Sequence, residues 1–497
     1  MTQDLKPQLF DIDTKEKLDA WTGDIAAWND WGAEHLGEDF KPIDPDLPLH
    51  PLLKGEAAMA LWRAGREGWN AWVSRNPIAD VYFDSQIFEA QEDSFGNPLV
   101  DFSQYKFPEG NVSFVLANFG KGEVRFNHAT FGKGDVNFSH ANFGEGDVNF
   151  SHANFGEGDV YFGVARFGDG YVSFNSATFG EGIVLFTSAM FGEGDVIFDY
   201  VTFGEGNVDF VYANFDEGNL RFNETTFGKG NINFRRSSFG SGKVSFDRCV
   251  FEGAAHFTSL QNVGECEVFS FEGCSFEKLF TFSNTGTMGC PLDLRRTKIS
   301  HTPVVHDIKC EFATDPDPLG RWPTIAANRE DSQRFRRLKE LAVANRNHAK
   351  ALEFHALEIQ TARGHGTTFL QDLGQFLYWI TSDYGRSVKR PLGWLFTVCI
   401  LWAGLLWNLR QPVTSFPNDV RERIGEATPE FWTALIYSAS NMLSFIPTGR
   451  TARTQSEDLL FGGFVPEYII ALNGVQTVLS VILLFLLSLG LRNMFRV

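Results

Sequence analysis

No Cys-x-x-Cys pair occurs in this chain, and its six cysteines (Cys249, Cys266, Cys274, Cys290, Cys310 and Cys399) build no tight framework. That pattern argues against zinc and against a disulfide scaffold, and the thiols read as small apolar fillers in a reducing compartment. The opening stretch, MTQDLKPQLFDIDTKEKLDAW, is charged and has no apolar run, so no cleaved secretory signal is expected. Positive charge is also short: 43 Lys and Arg stand against 62 Asp and Glu, a net charge of −19. Direct nucleic-acid binding and a polybasic membrane-surface role are therefore not expected. No nucleophile with a base, no P-loop and no paired catalytic carboxylates emerge, so the chain is not read as an enzyme and no cofactor is expected.

Phenylalanine, by contrast, is abundant, with 50 residues. From Phe107 to Phe251 the rings recur at alternating steps of seven and five (Phe107, Phe114, Phe119, Phe126, Phe131, Phe138 and onward), twelve periods of twelve residues. A fixed period repeated this often marks a solenoid, and steps of five and seven suit neither an amphipathic helix nor a plain alternating strand. Two residues before each ring stands a smaller apolar side chain, as at Ala141, Val148, Ala153 and Val160. Two positions apart on an extended chain is the same face. The second Gly of each G-x-G, from Gly122 through Gly146 and Gly158 to Gly242, appears in every period, whereas the first gives way once, at Asp216. Such a position needs a positive φ or a close backbone approach, so the pair is corner chemistry.

The units ANFGE (141–145) and VNFSH (148–152) resemble the A-(D/N)-(L/F)-x-x repeat of the pentapeptide-repeat family, with a two-residue insertion on alternate faces. The resemblance implies a mainly β fold, a right-handed four-sided β-helix in which four Phe make one coil. Coils of two periods then give about six in this segment, stacked at ~4.8 Å. Gly65, Trp69, Asn70, Trp72, Asn76 and Pro77 are similar to the helical lead-in that caps the first coil in such proteins. The expected organisation is a helical N-terminal cap (1–80), the β-helix (81–312), a Pro-rich linker (313–325), a helical hairpin (326–368) and a membrane module (369–497). In the hairpin His355 and Glu358 stand three apart, a spacing that suits a surface pair better than a metal.

The corners are acidic. Residues 101–250 hold nineteen Asp and Glu against eleven Lys and Arg. A 24-residue coil is expected to stack Glu145, Asp169, Glu193 and Glu217 on one edge and Glu157, Glu181 and Glu205 on the opposite one. These seven are the candidate contacts for a basic cytoplasmic protein, set against a merely solvated face. Calcium is disfavoured, because RTX-type Gly-Asp rolls have a nine-residue period and the acidic positions here become Lys121, Lys133, Ser241, Ile183 and Lys243. DNA mimicry, implied for free-standing pentapeptide-repeat proteins, is a further alternative.

Residues 391–409 and 468–491 are uncharged and long enough for two transmembrane helices. Flanking Lys and Arg are about balanced and leave the orientation open; the solenoid ahead of the first span is expected to keep both termini in the cytoplasm, with the spans in the inner (cytoplasmic) membrane. Between them, 429–450 reads as a re-entrant segment in which Trp432, Leu435, Ile436 and Ala439 share a helix face. Helix, re-entrant segment, helix is similar to the plan of two-span tetrameric cation channels. YWITSDYGRSVKRPLGWL (378–395) and LGLRNMFRV are similar to stretches of bacterial pentapeptide-repeat proteins with a channel-like C-terminal module. That likeness implies a homo-oligomer in the lipid bilayer, a tetramer if a channel. Its narrow turn would run through Asn441, Met442, Leu443, Ser444, Phe445, Ile446, Pro447, Thr448 and Gly449, with Asn473 and Gln476 toward the lumen. The stretch lacks a T-V-G-Y-G filter, so potassium selectivity is not expected. The alternative is a membrane-tethered acidic scaffold without conductance.

Overall fold

The computed structural model describes residues 7–37, 40–305, 308–317, 320, 322–424, 429–442 and 447–495. They form two compact units, Met1–Asp315 with Ala326–Asn345, and Pro316–Ile325 with Arg346–Val497.

The first unit is a β-solenoid of about 11 turns with helices at its N-terminal end. Its strands are only two or three residues long, because the chain must turn a corner after each Phe. Val136–Asn137, Val160–Tyr161, Val184–Leu185 and Val208–Asp209 pair in parallel, each with the strand 24 residues further on. Four such ladders, one per side, close the coil. Every Phe of the beat is buried. Down one side Phe138, Phe162, Phe186 and Phe210 stack with centroids 4.9, 4.8 and 4.8 Å apart and planes within 3°. Across the interior the ladders meet edge to face, as Phe150 meets Phe162 at 5.6 Å. Each favourable ring pair adds about 0.5–1.5 kcal/mol to the area it buries.

The second glycine of each pair acts by close approach. A Cβ on Gly158 would sit 2.2 Å from the carbonyl oxygen of Gly134 one coil earlier, and Gly146 is placed the same way over Gly122. Positive φ occurs at the first glycine of some pairs, as at Gly120, Gly144, Gly156 and Gly168 (62–82°), and every twelve residues on non-glycine positions such as His128, His140, His152 and Val164, all with φ of 57–59°. Each such turn costs about 1–2 kcal/mol and is held by an inter-coil bond, as His140 N–H to Gly163 C=O at 2.9 Å.

Both ends are capped. Strands β1 (Gln8–Ile12) and β2 (Leu49–Lys54) extend the first ladder ahead of β3 (Asp80–Tyr82), a strand character that the helical reading of the N-terminal region did not contain. Helices α1 (Lys15–Ala20), α2 (Ile25–His35), α3 (Gly55–Arg63) and α4 (Gly65–Arg75) accompany them. Trp62 and Trp69 lie flat on Phe102 and Phe83 at 5.8 and 5.7 Å, and their indole N–H groups donate to the carbonyls of Asp101 and Lys106. The bare rings and backbone groups of a first coil are thereby covered.

At the other end, helix α5 (Asp331–Ala344) belongs to the solenoid unit, whereas α6 (His348–Ala362) belongs to the second. Arg334 bonds the buried Asp293 at 2.9 Å and Asp331 at 2.7 Å, Arg337 donates to the carbonyls of Leu294 and Thr297, and Phe335 is fully buried. Burial pushes the Asp293 carboxyl up, but hydrogen bonds from Arg295 and Arg334 outweigh it and hold the group below its ordinary value. That contribution to stability is present above the ordinary carboxylate range and is lost as pH falls through the depressed value.

Phe162→Ala is expected to lower the stability of a 1–345 fragment by about 3–5 kcal/mol, because backbone ladders on both sides prevent the cavity from closing. Gly158→Ala is expected to cost about 1–3 kcal/mol through its clash with the coil below. Gly163→Ala, whose added Cβ meets nothing nearer than 3.8 Å, is expected to be neutral or slightly stabilising. Thermal unfolding ranks the three; equal midpoints for the two glycine variants contradict the close-approach account. Arg334→Met, which removes the ion-pair partner of the buried Asp331 and leaves Asp293 to Arg295 alone, should cost about 3–5 kcal/mol and recover in part when Asp331→Asn is added.

Candidate functional site

The second unit contains α6, α7 (Phe369–Ser382), α8 (Lys389–Asn408), α9 (Asn418–Ile424), α10 (Phe431–Met442), α11 (Pro447–Phe461) and α12 (Glu467–Met494). Two of them, α8 and α12, are long and apolar enough to cross a membrane. At 12 residues α10 is not: it reaches about 18 Å, against a hydrocarbon core of about 30 Å.

A short helix beside two long ones stays put only if it is fastened. Ala434 and Tyr437 of α10 pack with Ala403 and Leu406 of α8 and with Leu460, Phe461 and Ile469, and Met442 meets Leu395 and Leu483. Amides then fix its rotation. Asn441 Nδ2 donates to Asn473 Oδ1 at 3.0 Å, Asn473 Nδ2 to the Tyr437 hydroxyl at 2.8 Å, and that hydroxyl to Glu457 at 3.0 Å. Gln476 Nε2 donates to the Ser438 hydroxyl at 2.7 Å, which in turn donates to the Cys399 carbonyl at 2.9 Å. Arg453 closes the chain of bonds on Glu457 at 2.9 Å. Each amide pair in an apolar setting contributes about 0.6–2 kcal/mol. Among the described residues the buried oxygens Asn441 Oδ1 and Gln476 Oε1 have no hydrogen-bond partner.

Asn473 and Gln476, expected toward a lumen, are therefore turned into the chain itself, 4% and 0% exposed, and hold α10. Ser480, on the same face, is equally buried. Asn441 and Met442 end α10, and Pro447, Thr448 and Gly449 begin α11, so these parts of the expected filter turn are helical. Leu443, Ser444, Phe445 and Ile446 lie outside the described residues. Trp432 and Ile436 form an outward apolar face on α10, 66% and 49% exposed.

On the solenoid, the 24-residue register carries Glu145, Asp169, Glu193 and Glu217 along one edge and Glu157, Glu181 and Glu205 along the other, all exposed. Lys121 reaches Glu145 at 3.3 Å, and Lys229 pairs with Glu205. Charge is segregated along the axis: residues 131–217 hold fourteen Asp and Glu against two Lys and Arg, and residues 218–250 hold two against six. The basic coils reach back to acids of the preceding coil, as Arg248 does to Glu224 at 2.7 Å. A change of sign near Arg221 was visible in the sequence, but an average over the whole repeat hides it.

At several corners the Asp or Asn after the second glycine position also has a structural partner. Asn111, Asp135 and Asp159 accept in turn from the backbone N–H of Asp135, Asp159 and Ile183, at 2.9, 2.9 and 2.7 Å, one coil per step. The recurrence of Asp and Asn there was the signal for this ladder. Among the described residues no cluster of three or more His, Cys, Asp or Glu is arranged to hold a metal.

Comparison with protein-family models, with curated proteins and with solved structures finds no match to this chain. Its own geometry, a β-solenoid with stacked phenylalanine ladders, fits a pentapeptide-repeat fold.

Proposed function

We propose that this is a membrane-anchored repeat protein whose helical unit assembles as an oligomeric ion channel or pore, with the solenoid as a cytoplasmic sensing and assembly rod. The observation that carries the reading is α10, a helix too short to span a bilayer, fastened between two spans by buried amides. Polar groups at that depth are costly and are kept where they serve a pathway or hold its walls. The exposed apolar face at Trp432 and Ile436 is the surface on which further copies would close the ring. The two unpartnered amide oxygens supply acceptors of the kind a cation or a water file uses. Free, buried thiols at Cys249, Cys266, Cys274 and Cys290 support a reducing compartment for the solenoid and, with it, an inner-membrane location.

Without a glycine-rich carbonyl cage, conduction is expected to discriminate little among small cations. Planar-bilayer recording of the purified chain tests this: the parent should conduct, and removal of 429–450 should abolish the current. Gln476→Leu, which releases Ser438, should reduce current while the chain stays inserted. Silence from the parent sinks the channel.

A second reading, the tethered scaffold, is favoured by one observation: Asn473 and Gln476 are spent inside the chain, while the acidic edges are exposed. It predicts salt-sensitive capture of a basic cytoplasmic protein, lost when Glu145, Asp169, Glu193 and Glu217 become amides. Capture that survives those changes refutes it.

A further inference from the structure

A groove of about 200 Å³ lies in the helical unit between α8, α10 and α12, walled by Leu392, Phe396 and Cys399, by Ala439 and Met442, and by Leu484, with no polar surface. The α8 positions are spaced four and three apart, one helix face, and Lys389, three residues before Leu392, continues that face at the first residue of the helix. From Leu392 to Cys399 the groove follows the helix for about 10 Å, and Lys389 lies about 4.5 Å beyond its end.

Three cations gather here, and two are engaged. Arg386 pairs with Asp383 at 3.1 Å; Arg390 donates to the Trp379 carbonyl at 2.9 Å and lies 3.6 Å from Asp383. Lys389 is exposed and, among the described residues, has no hydrogen-bond or ion-pair partner. An apolar slot that ends at an unpaired ammonium complements an amphiphile with an apolar chain and an anionic head. The wall residues Leu392 and Phe396 are 44% and 63% exposed, in the first turns of a span, where acyl chains meet headgroups.

We propose that this groove holds one acyl chain of an anionic membrane phospholipid, with Lys389 as the ligand of its phosphate. The site rests on the reading of α8 and α12 as membrane spans. It recognises headgroup charge through one lysine, which near a membrane surface corresponds to about a fivefold preference.

Native mass spectrometry of the full chain in mild detergent, equilibrated with phosphatidylglycerol or with phosphatidylcholine, reads the occupant. The parent should retain one phosphatidylglycerol per chain in about fivefold preference to phosphatidylcholine. Lys389→Gln should erase the preference, and Ala439→Leu, which fills the groove, should remove both lipids. Equal retention of the two lipids by the parent, a preference that survives Lys389→Gln, or bound lipid in Ala439→Leu overturns the site. So does a change in chain stoichiometry on Ala439→Leu with no lipid lost, which assigns the groove to a second copy. Failure of the span reading shows separately: alkaline carbonate would then release the chain from membranes, whereas an inserted chain with no phosphatidylglycerol preference refutes the groove alone.

Discussion

A phenylalanine ring stacked on the ring 24 residues below it is the constraint on which the solenoid depends. Backbone ladders repeat at about 4.8 Å, and the rings stack at 4.7 Å between Phe174 and Phe198 and 4.8 Å between Phe126 and Phe150. The two spacings coincide, so neither bends the other. Once four Phe fill each coil, its circumference is set, no side chain can be added inside, and the backbone must pass close to the coil beneath at Gly146 and Gly158. Everything outside inherits the same rise. The acidic edges, the Asn111–Asp135–Asp159 ladder and the stacked His128 and His152 rings, 4.8 Å apart, are consequences of that register.

Polar groups inside both units serve to fix apolar packing that has no direction of its own. Asp293 with Arg295 and Arg334 seats a helix on the last coils, where aromatic rings alone would let it slide. Asn473 and Gln476 set the rotation of α10 between apolar helices in the same way. Removing one partner of such a group is costly because the other stays buried and unpaired.

The repeat was readable from the sequence because its period is short and its marker residue large: twelve periods of Phe leave little freedom in face or coil size. The tryptophan cap was readable through the resemblance of Gly65, Trp69, Asn70, Trp72, Asn76 and Pro77 to the lead-in of such repeats. Strand β2 was not, since LHPLLK contains Pro51 and becomes a strand only through β1 and β3 on either side. The glycine pairs were located, but their physical role could not be divided between positive φ and close approach without the coil below. At the candidate site, the polar pair Asn473 and Gln476 was legible as a face; a single sequence does not distinguish a lumen from a short helix of the same chain lying against it. The allegiance of α5 was hidden because Asp293 and Arg334 are 41 residues apart.

The proposed roles of the solenoid, as assembly rod or as acidic display, both need edges whose charges recur at the coil rise. Nitroxide labels at positions Lys121 and Glu217, 96 residues apart on one edge, measure that rise directly by pulsed electron spin resonance. Four coils predict a single narrow distance near 19 Å. A broad distribution, or a distance above about 30 Å, contradicts the 24-residue coil and everything placed on it.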